Sequence, residues 1–119
     1  MNIPQDKIEQ AKSIIIKAAH NKSRVWYSEL YSKIGLDYIN PRDRQLGAYI
    51  LGAISRESNT QDGVMLTAIV NGKSEGEPAE GFYELAQELG RLSPHAFEDQ
   101  GLAFWVEEFR RCHEIYAAR

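Results

Sequence analysis

Residues 40–43 read Asn-Pro-Arg-Asp, the strongest helix-start signal in the chain. Asn40 offers a side-chain oxygen to the unpaired amides of a first turn. Pro41 brings a fixed φ to a position that needs no N–H, and Asp43 faces the positive end of the helix dipole. Upstream, Gly35 stops whatever helix precedes it. This punctuation demands two helices joined by a short turn over residues 36–40, and the remaining elements must be fitted round that pair.

The helix opened at Asn40 is expected to run to about Glu57, with Leu46, Ile50, Ala53 and Ile54 on its buried side. Gly47 and Gly52 lower its propensity, so each is read as a close approach by another backbone or side chain. "SNTQDG" then ends it in polar turn residues.

Before this pair, residues 5–19 carry Ile8, Ala11, Ile15 and Ala18 at helical spacing, with Lys7, Lys12 and Lys17 elsewhere on the surface. "RVWY" at 24–27 is β-prone, and Ser28 is a candidate N-cap for a brief helix through Ile34. After the pair, "VMLTAIV" at 64–70 lacks alternation, as expected of a strand covered on both faces. "FYELAQEL" predicts a short helix ended by Gly90. Ser93 and Pro94 read as the start of another, which Gly101 should break or bend. A final helix places Leu102, Trp105, Phe109, Cys112 and Tyr116 on one ladder toward the core. The expected class is α+β, mostly α, with a small β-sheet. Residues 1–119 form a single domain, with C-terminal helices (about 82–118) packed on the core.

The stretch "RVWYSELYSKIGLDYINPRDRQLGAYILGAI" places a short strand, a compact helix, a turn after Gly35 and a longer third helix in sequence. It resembles the core of winged helix-turn-helix domains. The resemblance implies a winged-helix-like core, the loop at 71–81 in the wing position, and a third helix that enters a major groove. A second stretch, "VMLTAIVNGKSEGEPAEGFYELAQELG", resembles a segment of small uncharacterised bacterial and phage proteins. There a strand ending in hydrophobics and Asn leads through a Gly-Pro-Gly-like loop into "GFYELA". In this chain Ala79 and Glu80 separate Pro78 from Gly81, and the segment covers roughly a quarter of the chain. It implies no biochemical activity.

Net charge is −3 but unevenly distributed. Residues 1–56 carry nine Lys/Arg against five Asp/Glu, and residues 57–119 carry five against twelve. A basic half leaves nucleic acid open as a partner. Cys112 is the only cysteine, so an intrachain disulfide is excluded and a reducing, cytoplasmic setting is expected. "MNIPQDKIEQAK" lacks the basic start and apolar centre of a signal peptide, and no apolar run approaches a membrane span.

Chemistry-bearing patterns are sparse. "GKS" at 72–74 imitates the end of a P-loop, but the required earlier glycine position holds Thr67 and the loop's glutamates repel phosphate. Glu75, Glu77, Glu80 and Glu84 form no calcium-loop pattern, and His20, His95 and His113 lack paired ligand spacing. Cys112 lies on an apolar ladder, where a buried inert thiol is the usual case, and the adjacent His113 points about 100° away from it on a helix. The expectation is a protein without enzymatic activity, cofactor or metal.

Two binding classes remain. For nucleic acid, the exposed third-helix candidates are Arg42, Arg44, Gln45, Tyr49 and Arg56. Arg44 and Gln45 suit base edges, Arg42 suits phosphate, and Lys22 and Arg24 add backbone contacts. For a protein partner, Tyr31, Tyr38, Tyr49, Phe82, Tyr83, Trp105 and Tyr116 are more aromatics than a small core must absorb. The sequence therefore reads as a small accessory or regulatory protein binding DNA or RNA through its third helix. The alternative is a protein-interaction module such as an adaptor, inhibitor or dimerisation unit. Self-association is open in either case.

Overall fold

The computed structural model describes residues 5–94 and 97–119, with the backbone alone for 97–99. His95 therefore lies outside the described residues. The elements are α1 (Gln5–His20), β1 (Val25–Trp26), α2 (Tyr27–Lys33), α3 (Pro41–Asp62), β2 (Val70–Asn71), α4 (Glu80–Glu88) and α5 (Phe97–Ala117). The protein is mostly helical with one small sheet. β1 and β2 pair in parallel, with Val25 opposite Val70 and Trp26 opposite Asn71. No helix among the described residues is long and apolar enough to cross a membrane.

α3 starts as the sequence requires. Asn40 Oδ1 accepts the N–H groups of Arg42 at 2.9 Å and Asp43 at 3.2 Å. Asp43 also reaches backward, its Oδ2 accepting the Asp37 N–H at 2.8 Å, and so fastens the preceding turn. The helix then passes the expected stop near Glu57 and continues to Asp62. "SNTQD" stays helical because Ser58 faces inward and its hydroxyl serves the core. Gly63, at φ +71°, ends the helix with its N–H on the Asn59 carbonyl.

The glycines of α3 differ. A Cβ on Gly47 would lie 2.1 Å from Tyr31 Cζ, so this position is the close approach that the sequence implies. A Cβ on Gly52 would meet nothing within 4 Å, which corrects the same expectation there.

α2 begins at Tyr27, directly out of β1, with Trp26 rather than Ser28 in the N-cap position. Its C-terminal end is capped from outside: Lys7 Nζ donates to the Ile34 carbonyl at 2.5 Å and Gln10 Nε2 to that of Lys33 at 3.1 Å. Gly35 follows with φ +79°, a conformation open to glycine.

The expected strand over 64–70 is mostly not a strand. Only Val70 belongs to β2, and Leu66–Ile69 form a 3-10 turn. Residues 64–70 are all buried among α1, α3 and α5, and full burial, not strand pairing, explains the unbroken apolar run. A buried segment outside a ladder needs other partners for its amides. Met65 N–H donates to Glu108 Oε2 at 2.7 Å, Leu66 N–H to Ser58 Oγ at 2.9 Å, and Thr67 N–H to Ser55 Oγ at 3.1 Å. Side chains of α3 and α5 thus stand in for a neighbouring strand.

α5 runs unbroken through Gly101, contrary to the expected bend, and Gly101 is buried. Its core face keeps most of the anticipated ladder: Cys112 and Tyr116 are buried, and Trp105 and Phe109 pack half-buried against the core. Leu102 departs from the ladder at 59% exposed, and Glu108, outside it, is buried. Trp105 is half-buried and donates through Nε1 to the Ala68 carbonyl at 2.8 Å. The hydrophobic pattern misses Glu108 because a buried glutamate carries no hydrophobic signal in the sequence. Glu108 is accommodated by Arg91 at 2.8 Å and Arg111 at 3.1 Å.

Candidate functional site

At 100° per residue, Arg42, Gln45, Tyr49 and Arg56 fall within an arc about 60° wide on α3, opposite its buried face. All four are exposed, as is Arg44. Ile39, just before the helix, is 84% exposed, and Tyr49 is 49% exposed. Neither Arg42 nor Arg44 has a carboxylate partner among the described residues. Arg56 differs, being ion-paired with Glu88 of α4.

Arg44 leaves the outer arc and turns toward Tyr38, its guanidinium 5.9 Å from the ring centroid. The two remaining nucleic-acid candidates lie in the α1–β1 connection. Lys22 is exposed at φ +55°. Arg24 packs over Trp26 at 5.4 Å and over Phe109 of α5 at 5.1 Å, and donates to the Gly76 carbonyl at 3.0 Å. The seven expected contact residues are therefore not one surface. Arg42, Gln45 and Tyr49 share the outer face of α3, Arg44 and Arg56 turn toward α4 and its surroundings, Lys22 is exposed in the α1–β1 connection, and Arg24 is occupied by structure.

Between α3 and α4 lies a cleft of about 660 Å³. Arg44, Ala48, Gly52 and Arg56 form one wall, each four residues after the last, and Gly81, Leu85 and Glu88 form the other. Tyr27, Tyr31, Thr67 and Phe82 make the floor, with Tyr38 at the Arg44 end. The rings are fixed against one another: Tyr27 and Tyr38 stack at 6.1 Å between centroids, and Tyr31 meets Tyr38 edge-on at 5.2 Å. The Arg56–Glu88 ion pair spans the two walls. Added Cβ atoms on Gly52 and Gly81 would meet nothing within 4 Å, so both open onto free space. The helical period could have placed Gly52 off the buried stripe of α3. Nothing in the sequence brought Tyr27, Thr67 and Gly81 to it.

Hydroxyl groups in this floor are only partly used. Tyr27 Oη accepts the Ala79 N–H at 2.8 Å, and its own hydrogen has no acceptor among the described residues. Burial pushes the Tyr27 phenol up to about 12, so it is a neutral donor at ordinary pH. Ser55 Oγ and Thr67 Oγ1 are 2.5 Å apart. Two hydroxyl hydrogens share that single contact.

Other groups are absorbed by the fold. Cys112 is fully buried, its Sγ 3.4 Å from the Met65 carbonyl. Burial, reinforced by the Glu108 charge, pushes its thiol up to about 12. His20 Nδ1 lies 3.2 Å from the Tyr116 carbonyl and His113 Nε2 lies 2.8 Å from that of Ser23. Among the described residues no group of three His, Cys, Asp or Glu side chains is placed to hold a metal. The loop after β2 closes on itself through Gly72 N–H on the Glu77 carbonyl at 2.9 Å and Gly76 N–H on that of Gly72 at 2.7 Å. Arg24 and Tyr27 anchor it, at Gly76 and Ala79.

No protein-family model, curated protein or solved structure matches the chain.

Proposed function

We propose that this protein is a non-enzymatic accessory module that docks a protein partner on the outer face of α3. The observation that carries this reading is Ile39, 84% exposed, beside an arc that presents Arg42, Gln45 and half-exposed Tyr49. Tyrosine and arginine beside an exposed aliphatic group are the composition of interface hot spots, and Arg42, without a carboxylate partner among the described residues, favours an acidic-and-apolar segment as occupant. A winged-helix-like core belongs to the same proposal. The order helix, strand, helix, helix, strand supports it, whereas the parallel strand pair and the tied-down loop at 72–79 are departures from an outreaching wing.

Nucleic-acid binding is the second reading, favoured by Arg42, Gln45 and Tyr49 on one exposed arc at the start of a 22-residue helix. Its electrostatic term is small. Arg24 and Arg56 are engaged elsewhere, and Glu84 and Glu88 lie on α4 across the cleft.

Affinity purification with wild type, Ile39→Asp and Arg42→Glu, coupled to a duplex titration at two salt concentrations, separates the readings. The protein reading expects an acidic partner lost in both variants and no salt-steep duplex binding. Duplex affinity that falls steeply with salt and is lost in Arg42→Glu overturns it in favour of the second.

A further inference from the structure

The α3–α4 cleft, which adjoins the outer face of α3 at Tyr49, has features of a site for a small ligand. Its volume of about 660 Å³ falls in the range of small-molecule pockets, and its lining is mostly aromatic and aliphatic. Glycine inside a helix costs about 1 kcal/mol relative to alanine, and Gly52 gains no packing in return. Gly81, on the opposite wall, is equally open. Side chains at either position would fill the space between the walls.

The second observation concerns hydrogen bonding. Tyr27 is only 8% exposed, lines the cleft, and has no acceptor for its hydroxyl hydrogen among the described residues. Ser55 and Thr67 hold two hydroxyl hydrogens and one mutual contact. Ser55 is 0% exposed, and Thr67, at 6%, is the member that lines the cleft. Buried donors seek acceptors, so Ser55 donates to Thr67 and the Thr67 hydroxyl is left to donate into the cleft. The floor thus presents two donors and flat rings.

We propose that this cleft binds a planar aromatic small molecule bearing a carbonyl or carboxylate oxygen, which accepts hydrogen bonds from Tyr27 and Thr67 while its rings lie between Gly52 and Gly81. Ring contact with Tyr31 and Phe82 supplies the apolar burial. Arg44, without a carboxylate partner among the described residues, adds attraction for a carboxylate over an amide. The exposed Glu84 on the facing helix limits that preference.

The test is a titration followed by amide chemical shifts, using 2-naphthoate, 2-naphthamide and 2-(aminomethyl)naphthalene as probes. The first two carry an acceptor, and the third carries only donors. Saturable shifts centred on Ala48, Gly52, Thr67 and Gly81 are expected for both acceptor probes, with the amine at least about fivefold weaker. Thr67→Val should weaken the acceptor probes about fivefold and leave the amine unchanged. Gly52→Leu should abolish binding, with its thermal unfolding showing that the fold persists. Absence of saturable shifts, an amine that binds as tightly, or binding that survives Gly52→Leu would overturn the proposal. None of these outcomes bears on partner docking at Ile39 and Arg42.

Discussion

Glu108 of α5 accepts the Met65 N–H at 2.7 Å, joining the last helix to the buried segment at the centre of the fold. The same carboxylate receives Arg91 at 2.8 Å and Arg111 at 3.1 Å, and Arg91 continues to Asn59 of α3 at 2.8 Å. One buried charge therefore links α3, α5, the 64–70 segment and the connection after α4. Replacing Glu108 with Ala strands the Met65 amide and takes the carboxylate from Arg91 and Arg111, which keep Asn59 and the Gly63 carbonyl, a loss of about 2–4 kcal/mol. Against a typical total of about 5–15 kcal/mol, that variant should be largely unfolded or melt far earlier, with Glu108→Gln intermediate. Urea denaturation followed by circular dichroism measures it, and a loss below about 1 kcal/mol would contradict the assigned role.

The two helical glycines of α3 should respond in opposite directions. Gly47→Ala drives a methyl into the Tyr31 ring and should destabilise by about 1–3 kcal/mol. Gly52→Ala meets open space and gains helix propensity, so it should stabilise by about 0.5–1 kcal/mol. Paired denaturation curves decide this, and equal signs would show that one of the two environments is misassigned.

Ser58 serves three backbone groups, its hydroxyl directed at the carbonyls of Val64 at 2.7 Å and Ser55 at 3.3 Å and accepting the Leu66 N–H at 2.9 Å. Ser58→Ala should cost about 1–3 kcal/mol although it removes one oxygen atom. Its exposed neighbour in sequence, Glu57, offers the control, since losing its surface ion pair with Lys12 should change stability by less than about 1 kcal/mol. A neutral Ser58→Ala would contradict the satisfaction of the 64–70 segment by side chains.

These groups show what the sequence could convey. Asn40, Pro41 and Gly35 act locally, so the turn between α2 and α3 was legible in the residues themselves. The 64–70 run signalled burial correctly but not its conformation, because an apolar stretch is the same for a buried strand and a buried irregular segment. What decides between them is distant: Ser55, Ser58 and Glu108, polar residues that a hydrophobic pattern assigns to the surface. The exposed arc of α3 followed from helical period. The cleft did not, since it needs α4 brought opposite Gly52 by tertiary packing.

Buried acidic hydrogens set the alkaline limit, and burial raises Tyr31, Tyr83 and Tyr116 in the same direction as the two that titrate first. Folding raises the Cys112 thiol from its usual 9.0 to about 12 and the Tyr27 phenol from 10.0 to about 12, in both cases mainly through burial. A raised folded value means that the contribution is complete below the unfolded one and is lost as pH climbs toward the folded one. On the alkaline side stability should therefore hold to about pH 9 and fall between about 9 and 12. Asp62 acts at the opposite end. Hydrogen bonds from Arg119 and then Tyr116 hold its carboxyl below the usual 3.8, so its contribution is present above that value and disappears in stronger acid. Urea midpoints across pH read both limbs, and native-state alkylation of Cys112 should be negligible at pH 8.

The most direct measurement for the docking claim is site-specific photocrosslinking in cells, with a benzophenone side chain placed in turn at Ile39, Tyr49 and Leu102. All three positions are exposed, but only the first two belong to the proposed face. The account predicts one protein adduct common to positions 39 and 49, absent at 102, and lost on adding Arg42→Glu. An adduct formed from Leu102 alone, or crosslinks to nucleic acid from position 49, would contradict it.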